Sequence, residues 1–257
     1  MLNELENRIL EEMIVFKSKN PKIRIGGAQD GGYVVVSGYE YDCYLSCGIG
    51  DSVSFDNQFV NIYPNCQKYI GFDGTCNRPY NLDSRVEFVK KNIGTDNSEL
   101  LTDLKNESMD YKDIFLKMDI EGHEWNWIHC FQDLSKFKQI VIECHGFFDE
   151  DCPTGSWKTL GYFEHSTMLE AFRILNKTHY LVHLHGNNAA VVKHSDGSFS
   201  NAKGYDEWMT VGELTFIRKD CEITGVNKDN LPLMNLDYPN YGNMPDVHIN
   251  KWPFVIS

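Results

Sequence analysis

The stretch Tyr44-Leu45-Ser46-Cys47-Gly48-Ile49-Gly50-Asp51 decides how this chain is read, because a short apolar run breaks there into Gly-x-Gly and then into a polar turn. A strand that ends in glycines before a helix is the join on which α/β sheets seat nucleotide cofactors, since glycine lets the backbone approach a ligand closely. A dinucleotide site would place a third glycine at position 53, for close helix packing against a pyrophosphate. This chain has Val53, which argues against NAD.

Roughly twenty residues further on, Tyr69-Ile70-Gly71-Phe72-Asp73 reads as a strand ending in an acid. A carboxylate there accepts hydrogen bonds from the hydroxyls of an adenosine ribose, which serves NAD and S-adenosylmethionine equally. The third segment is Phe115-Leu116-Lys117-Met118-Asp119-Ile120-Glu121-Gly122-His123-Glu124-Trp125. With these residues the chain resembles the FkbM-type S-adenosylmethionine-dependent O-methyltransferases, which carry a strand ending in Lys-x-Asp-x-Glu-Gly-x-Glu. The resemblance runs over residues 22 to 219, and the Asp-x-Glu-Gly-x-Glu run is its most specific part. It implies a Rossmann-like class I methyltransferase fold whose seventh strand, here Glu213 to Ile217, lies antiparallel between the fifth and sixth. It also implies methyl transfer to a hydroxyl of a sugar or nucleotide-linked sugar, in surface glycan or capsule biosynthesis.

Composition suits such an enzyme. The 257 residues are 42% hydrophobic and 24% charged, ordinary for one folded α/β domain with additions. A formal net charge of -13 repels polyanions at long range and argues against a nucleic-acid partner. The start, Met1-Leu2-Asn3-Glu4-Leu5-Glu6, has no basic or apolar leader, and no run approaches the ~18 apolar residues of a membrane span. The expected location is the cytoplasm. Cysteines 43, 47, 66, 76, 130, 144, 152 and 221 are scattered without Cys-x-x-Cys pairs and read as reduced thiols, most of them small buried hydrophobes.

Leu2, Leu5, Ile9, Met13 and Phe16 recur every three or four residues, predicting an amphipathic helix in the first twenty residues. Lys22 to Ile25 and Tyr33 to Val36 flank the glycine-rich Gly26 to Gly32 and predict a hairpin. The turn is either plain or a device in which Arg24, Gln29 and Asp30 help enclose the amino-acid end of the cofactor. From residue 43 strands are expected near 43–47, 68–72, 86–89, 114–118, 139–143, 180–184 and 212–218. Helices are expected near 54–63, 98–106, 124–132 and 165–176. This alternation predicts an α/β, seven-stranded, mostly parallel sheet with helices on both faces. Residues 1–42 then form an N-terminal helix and hairpin packed on the core, 43–225 the Rossmann-like domain, and 226–257 a tail. Pro232, Pro239, Pro245 and Pro253 exclude a regular helix or central strand from that tail. It is read as a wrap over the sheet edge or as a substrate-covering or homodimer-forming arm.

Ligands of open α/β sheets bind beyond the carboxyl ends of the strands, so the residues after each expected strand should converge. The cofactor set is Cys47, Gly48, Gly50, Asp51, Phe72, Asp73 and Asp119, with Asn92 and the amide of Ile93 placed at the adenine edge by the resemblance. Asp51, Asp119 and Glu121 supply negative potential for a sulfonium. The candidate catalytic set is Asp119, Glu121, His123, His145, His183 and His185. Methyl transfer to oxygen needs an aligned nucleophile and a sink for its proton, either a histidine base or a divalent cation. Asp119, Glu143 and His145 would hold Mg²⁺ or Mn²⁺. His183-Leu184-His185 puts both imidazoles on one sheet face, where packing and catalysis are equally good explanations. His129, His165 and His248 read as surface or satisfied residues, and Trp125 and Trp127 as helix packing. A nicotinamide-dependent sugar oxidoreductase would need a Tyr-x-x-x-Lys pair beside the fourth strand, and no such pair lies there. A non-catalytic binding protein with the same fold is the third reading.

Overall fold

The computed structural model describes residues 4–93, 110–147, 164–188, 191–193, 199–201 and 209–256. Its centre is a seven-stranded sheet built from β4 (Cys43–Cys47), β5 (Lys68–Phe72), β6 (Glu87–Val89), β7 (Ile114–Met118), β8 (Phe137–His145), β9 (His179–Asn187) and β12 (Val211–Arg218). The strand order is β6-β5-β4-β7-β8-β12-β9. β12 runs antiparallel to both β8 and β9, while the pairings from β6 to β8 are parallel. This is the α/β, Rossmann-like class I methyltransferase fold, with the antiparallel seventh strand where it was expected. The expected helix at 98–106 lies outside the described residues. β10 (Val191–Lys193) and β11 (Phe199–Asn201) form a separate antiparallel pair.

Why the middle strands read as unbroken apolar runs follows from their two covers. Cys43, Leu45, Ile114, Leu116 and Met118 join a core with α1 (Glu4–Glu12), α3 (Glu124–Phe131) and α4 (His165–Thr178), centred on Leu10, Trp125, Trp127 and Phe172. Tyr44, Phe115 and Val141 point the other way, into a core with α2 (Ser54–Ile62) and the hairpin of β2 (Lys22–Ile25) and β3 (Tyr33–Val36). Strand alternation assigns one side chain to each core in turn. Each fully buried aromatic or aliphatic side chain contributes about 1.5–3 kcal/mol. Trp125 and Trp127 are fully buried, as helix packing requires.

The N-terminal stripe needs a correction. The helix stops at Glu12, and Phe16 instead opens β1 (Phe16–Ser18), which pairs with β13 (Ile223–Val226). The β-branched pair Ile14-Val15 follows the last turn and suits extended backbone better than helix. Residues 226–256 fold back over the face of β9 and β12 through short turns and one bridge, Val247 to Gly186. Among the described residues seven cysteines are free thiols, five of them buried, and no helix is long and apolar enough to cross a membrane.

Candidate active site

The carboxyl ends of β4, β5 and β7 stay joined one step beyond the sheet: Gly48 N–H donates to the Phe72 carbonyl and Asp119 N–H to the Cys47 carbonyl, both at 2.9 Å. Gly48 has φ +78°, and a Cβ there would lie 1.7 Å from the Asp119 carbonyl oxygen. Only glycine fits so close a crossing. The Lys117 ammonium donates to the Gly48 carbonyl at 2.5 Å and clamps the turn. Gly50, at φ +59°, faces open space, and its N–H donates to Asp73 Oδ2 at 2.8 Å. Asp73 Oδ1 accepts from the Thr75 N–H and hydroxyl, each at 2.7 Å, and from the Cys76 N–H at 3.1 Å. Burial pushes the Asp73 carboxyl up, but these donors outweigh it and hold it below its ordinary value. Asp73 is thus an oriented carboxylate beside the Gly-x-Gly turn.

The other members of the cofactor set lie around this pair. Asn92 Oδ1 accepts the Gly74 N–H at 2.8 Å and shapes the turn after β5. Cys47, Phe72 and Ile93 are buried beneath the turn, and burial pushes the Cys47 thiol up to about 12, so it is no reactive thiolate. Asp51 is exposed at the rim.

Beyond β7 the acidic motif forms a tight loop, with Glu121 at φ 55° and Gly122 at φ 98°. Glu124, fully buried, holds it: Oε1 accepts from the Ile120 and Gly122 N–H groups and faces His145 Nδ1, each at 3.1 Å. Trp125 Nε1 donates to the His145 carbonyl at 2.8 Å, tying α3 to the end of β8. His145 Nε2 faces Glu121 at 3.7 Å and Glu143 at 4.0 Å. Burial alone would strip its proton, yet Glu124, Glu143 and Asp119 together raise His145 to about 10. It is therefore an imidazolium at neutral pH. Burial also opposes ionisation of Glu124, but His145 and the loop N–H groups hold that carboxyl below its ordinary value.

The hairpin supplies the opposite wall. Tyr33 Oη lies 3.1 Å from Glu143 Oε2 and 3.3 Å from Asp119 Oδ2. A phenol has one proton, so it donates to one carboxylate at a time. Burial, and next the charge of Asp119, lift Glu143 well above the carboxylate range; burial likewise lifts Asp119, against the pull of Lys117 and His145. Asn187 Nδ2 donates to Glu143 Oε1 at 2.8 Å. Asp119 Oδ1 and Glu124 Oε2 are buried without a hydrogen-bond partner among the described residues. With His145 these two residues form a group whose ligand atoms lie within 4.8 Å of one another. That trio contains Glu124 where the sequence suggested Glu143. Two carboxylates and an imidazole suit a hard or borderline divalent cation, which would have to displace the proton that His145 carries.

The structure therefore brings Asp119, Glu121, Glu143 and His145 together, with Asp119 against Gly48. His123 stands at the N-cap of α3, with a buried Nδ1 that has no partner among the described residues. His183 and His185 turn toward the tail: His183 Nε2 contacts Asp237 Oδ1 at 2.9 Å, while His185 bridges Glu213 at 3.1 Å and Asp246 at 3.0 Å. Tyr33, Lys117 and Glu124 are site residues to which the sequence patterns gave no role, while Asn187 stands at the strand exit expected to meet the ligand edge. Lys117 and Glu124 stand inside the acidic motif and were legible as fixed members of its spacing, whereas Tyr33 is brought in only by the hairpin.

The chain matches no protein-family model and no curated protein. Among solved structures it is similar to a prophage-encoded protein of E. coli described as a DNA modification methyltransferase, at 10% identity and a TM-score of 0.35 over 69% of this chain and 47% of that one. It is also similar to the methyltransferase domain of a bacterial Hen1 protein, at 7% identity and a TM-score of 0.34 over 69% of this chain and 90% of that one. A third likeness is to a 16S rRNA (adenine(1408)-N(1))-methyltransferase from Catenulisporales acidiphilia, at 12% identity and a TM-score of 0.33 over 71% of this chain and 90% of that one. The chain spans about half the length of the first of these. Likenesses this remote leave function to the chain's own geometry.

Proposed function

We propose that the chain is an S-adenosylmethionine-dependent O-methyltransferase acting on a small hydroxylated acceptor of the sugar class. The observation that carries this reading is the convergence of an oriented carboxylate, Asp73, on the Gly48-x-Gly50 turn, beside the acidic cluster that meets this turn at Gly48. Asp73 keeps acceptor capacity on Oδ2 for a ribose hydroxyl, and Gly50 leaves open space beside it. S-adenosylmethionine supplies the electrophilic methyl group. Asp119 and Glu121 give the negative potential that a sulfonium needs, and Asp119 Oδ1 is an unused buried acceptor for the hydroxyl proton. His145, held as an imidazolium, balances the acids rather than acting as the base. If Mg²⁺ or Mn²⁺ takes part, Asp119, Glu124 and a deprotonated His145 are the residues to hold it, so uptake of the cation would release a proton.

Calorimetric titration with S-adenosylhomocysteine tests the cofactor half. Micromolar binding, about -8 kcal/mol, is expected, weakened about tenfold or more in Asp73→Ala. Absence of binding together with uptake of NAD would replace this reading with the oxidoreductase one. Repeating the titration with Mg²⁺ or Mn²⁺ shows whether a cation belongs to the site.

A further inference from the structure

The acidic cluster has a neighbour that the cofactor does not need. A cavity of about 690 Å³ opens between the glycine-rich turn and the tail, lined by Gln29, Asp30, Asn240, Tyr241, Gly242 and Asn243. Its tail wall is built rather than draped. Asn188 Nδ2 shares its two N–H donors among the carbonyls of Tyr241, Met244 and Pro245, and its Oδ1 accepts the Tyr241 N–H. Asp237 and Asp246 anchor the same segment on His183 and His185. The two histidines thus hold the wall in place.

Asn240 is the informative residue in that wall. It is buried, at 4% exposure, and its Nδ2 donates to Glu213 Oε1 at 2.7 Å and to Asp30 Oδ1 at 3.3 Å. Its Oδ1 has no partner among the described residues. An amide oxygen left without a donor is an acceptor for a hydroxyl that reaches it from the cavity that Asn240 lines. Glu213 stands opposite Glu143 across the β8–β12 ladder, which connects this wall to the acidic cluster. The charge of Asp30 is also felt at Tyr33, Asp119, Glu121 and Glu143.

We propose that this cavity is the acceptor subsite and takes an uncharged, polyhydroxylated ring, with its hydroxyls on Asn240, Asp30 and Gln29 and one face on Tyr241. The inference rests on the methyltransferase reading. Amide and carboxylate groups match vicinal hydroxyls, and the half-exposed Tyr241 ring offers a flat apolar surface. The lining residues include no lysine or arginine, and Arg24 nearby spends its guanidinium on the carbonyls of Gly27, Gln29 and Leu236. A diphosphate group would meet Asp30 and the acids behind it, so the sugar ring occupies this cavity and any anionic carrier attached to it lies outside.

Saturation-transfer NMR on the full chain tests the proposal with the methyl glycosides of glucose, galactose, mannose and rhamnose, and with glucose 1-phosphate as the anionic control. Ring-proton signals are expected for at least one glycoside, reduced about fivefold or more in Tyr241→Ala and Gln29→Ala, with glucose 1-phosphate weaker. Tyr241 is exposed and its backbone bond to Asn188 survives the substitution, so this variant keeps the fold; Asn240→Ala adds the buried contact. Affinity for S-adenosylhomocysteine should stay within about twofold in Tyr241→Ala. No signal from any glycoside, signals indifferent to both substitutions, or a stronger signal from the phosphate would overturn the assignment. Loss of S-adenosylhomocysteine affinity in Tyr241→Ala would give the cavity to the cofactor instead. If wild-type protein binds a glycoside through Tyr241 but never S-adenosylhomocysteine, the methyltransferase reading fails while the sugar subsite stands.

Discussion

Replacing Glu124 with Gln isolates the charge that holds the acidic loop together. Gln keeps an oxygen for the Ile120 and Gly122 N–H groups but loses the ion pair with His145. His145 moves from an ordinary 6.5 to about 10 in the folded chain. At about 1.36 kcal/mol for each pKa unit, the whole separation corresponds to roughly 5 kcal/mol as a ceiling. Glu124, Glu143 and Asp119 share it, so Glu124→Gln is expected to cost about 3 kcal/mol near pH 6. Because the folded chain holds this proton and the unfolded chain releases it above 6.5, the stabilisation is complete below 6.5 and is lost as pH rises through about 10. Glu124 contributes in the opposite sense: its lowered carboxyl stabilises the fold above its ordinary 4.5 and stops doing so as pH falls. Urea unfolding of both proteins across a pH series measures the difference, which should be largest between 4.5 and 6.5 and shrink to about 1 kcal/mol near pH 10. A penalty under about 1 kcal/mol at pH 6, or one that does not change with pH, would refute the ion pair as the device that holds this loop.

Three other substitutions probe separate parts of the architecture. Gly48→Ala should cost at least about 2 kcal/mol in thermal or urea unfolding and abolish S-adenosylhomocysteine binding, since it needs a strained φ and collides with the Asp119 carbonyl; wild-type affinity in a stable Gly48→Ala protein would contradict the close crossing. Asp237→Ala removes the acceptor of both His183 and the Leu233 N–H, and should cost about 2–3 kcal/mol and open residues 226–256 to limited proteolysis; an unchanged digestion pattern would mean the tail is held elsewhere. Leu116→Ala, in the middle of the central strand and fully buried, should destabilise by about 2–5 kcal/mol by urea titration without changing which ligands bind.

The amino-acid sequence by itself determined the sheet and its Gly-x-Gly edge, because both are written in short-range pattern. Strand and helix periods, the Gly48-x-Gly50 turn and the acid at the end of β5 are local statements; most of them stand within a residue or two of their expected places, while β9 runs on to Asn187 and the first helix stops at Glu12. Asp119, Glu121 and His145 were legible as residues at the ends of two strands of a sheet whose order the resemblance, and not the alternation, supplied. Protonation states and partners were decided only by tertiary contact. Whether His145 is a base or a cation depends on Glu124, 21 residues away, and on Glu143 beside it in the chain. Whether His183 and His185 face a substrate or a protein carboxylate depends on Asp237 and Asp246, 54 and 61 residues on. Tyr33 joins the acidic cluster from a hairpin 86 residues before Asp119. A pattern reports which face a side chain takes, but the charge on a buried group is set by the field of everything folded against it, and no local spacing carries that field.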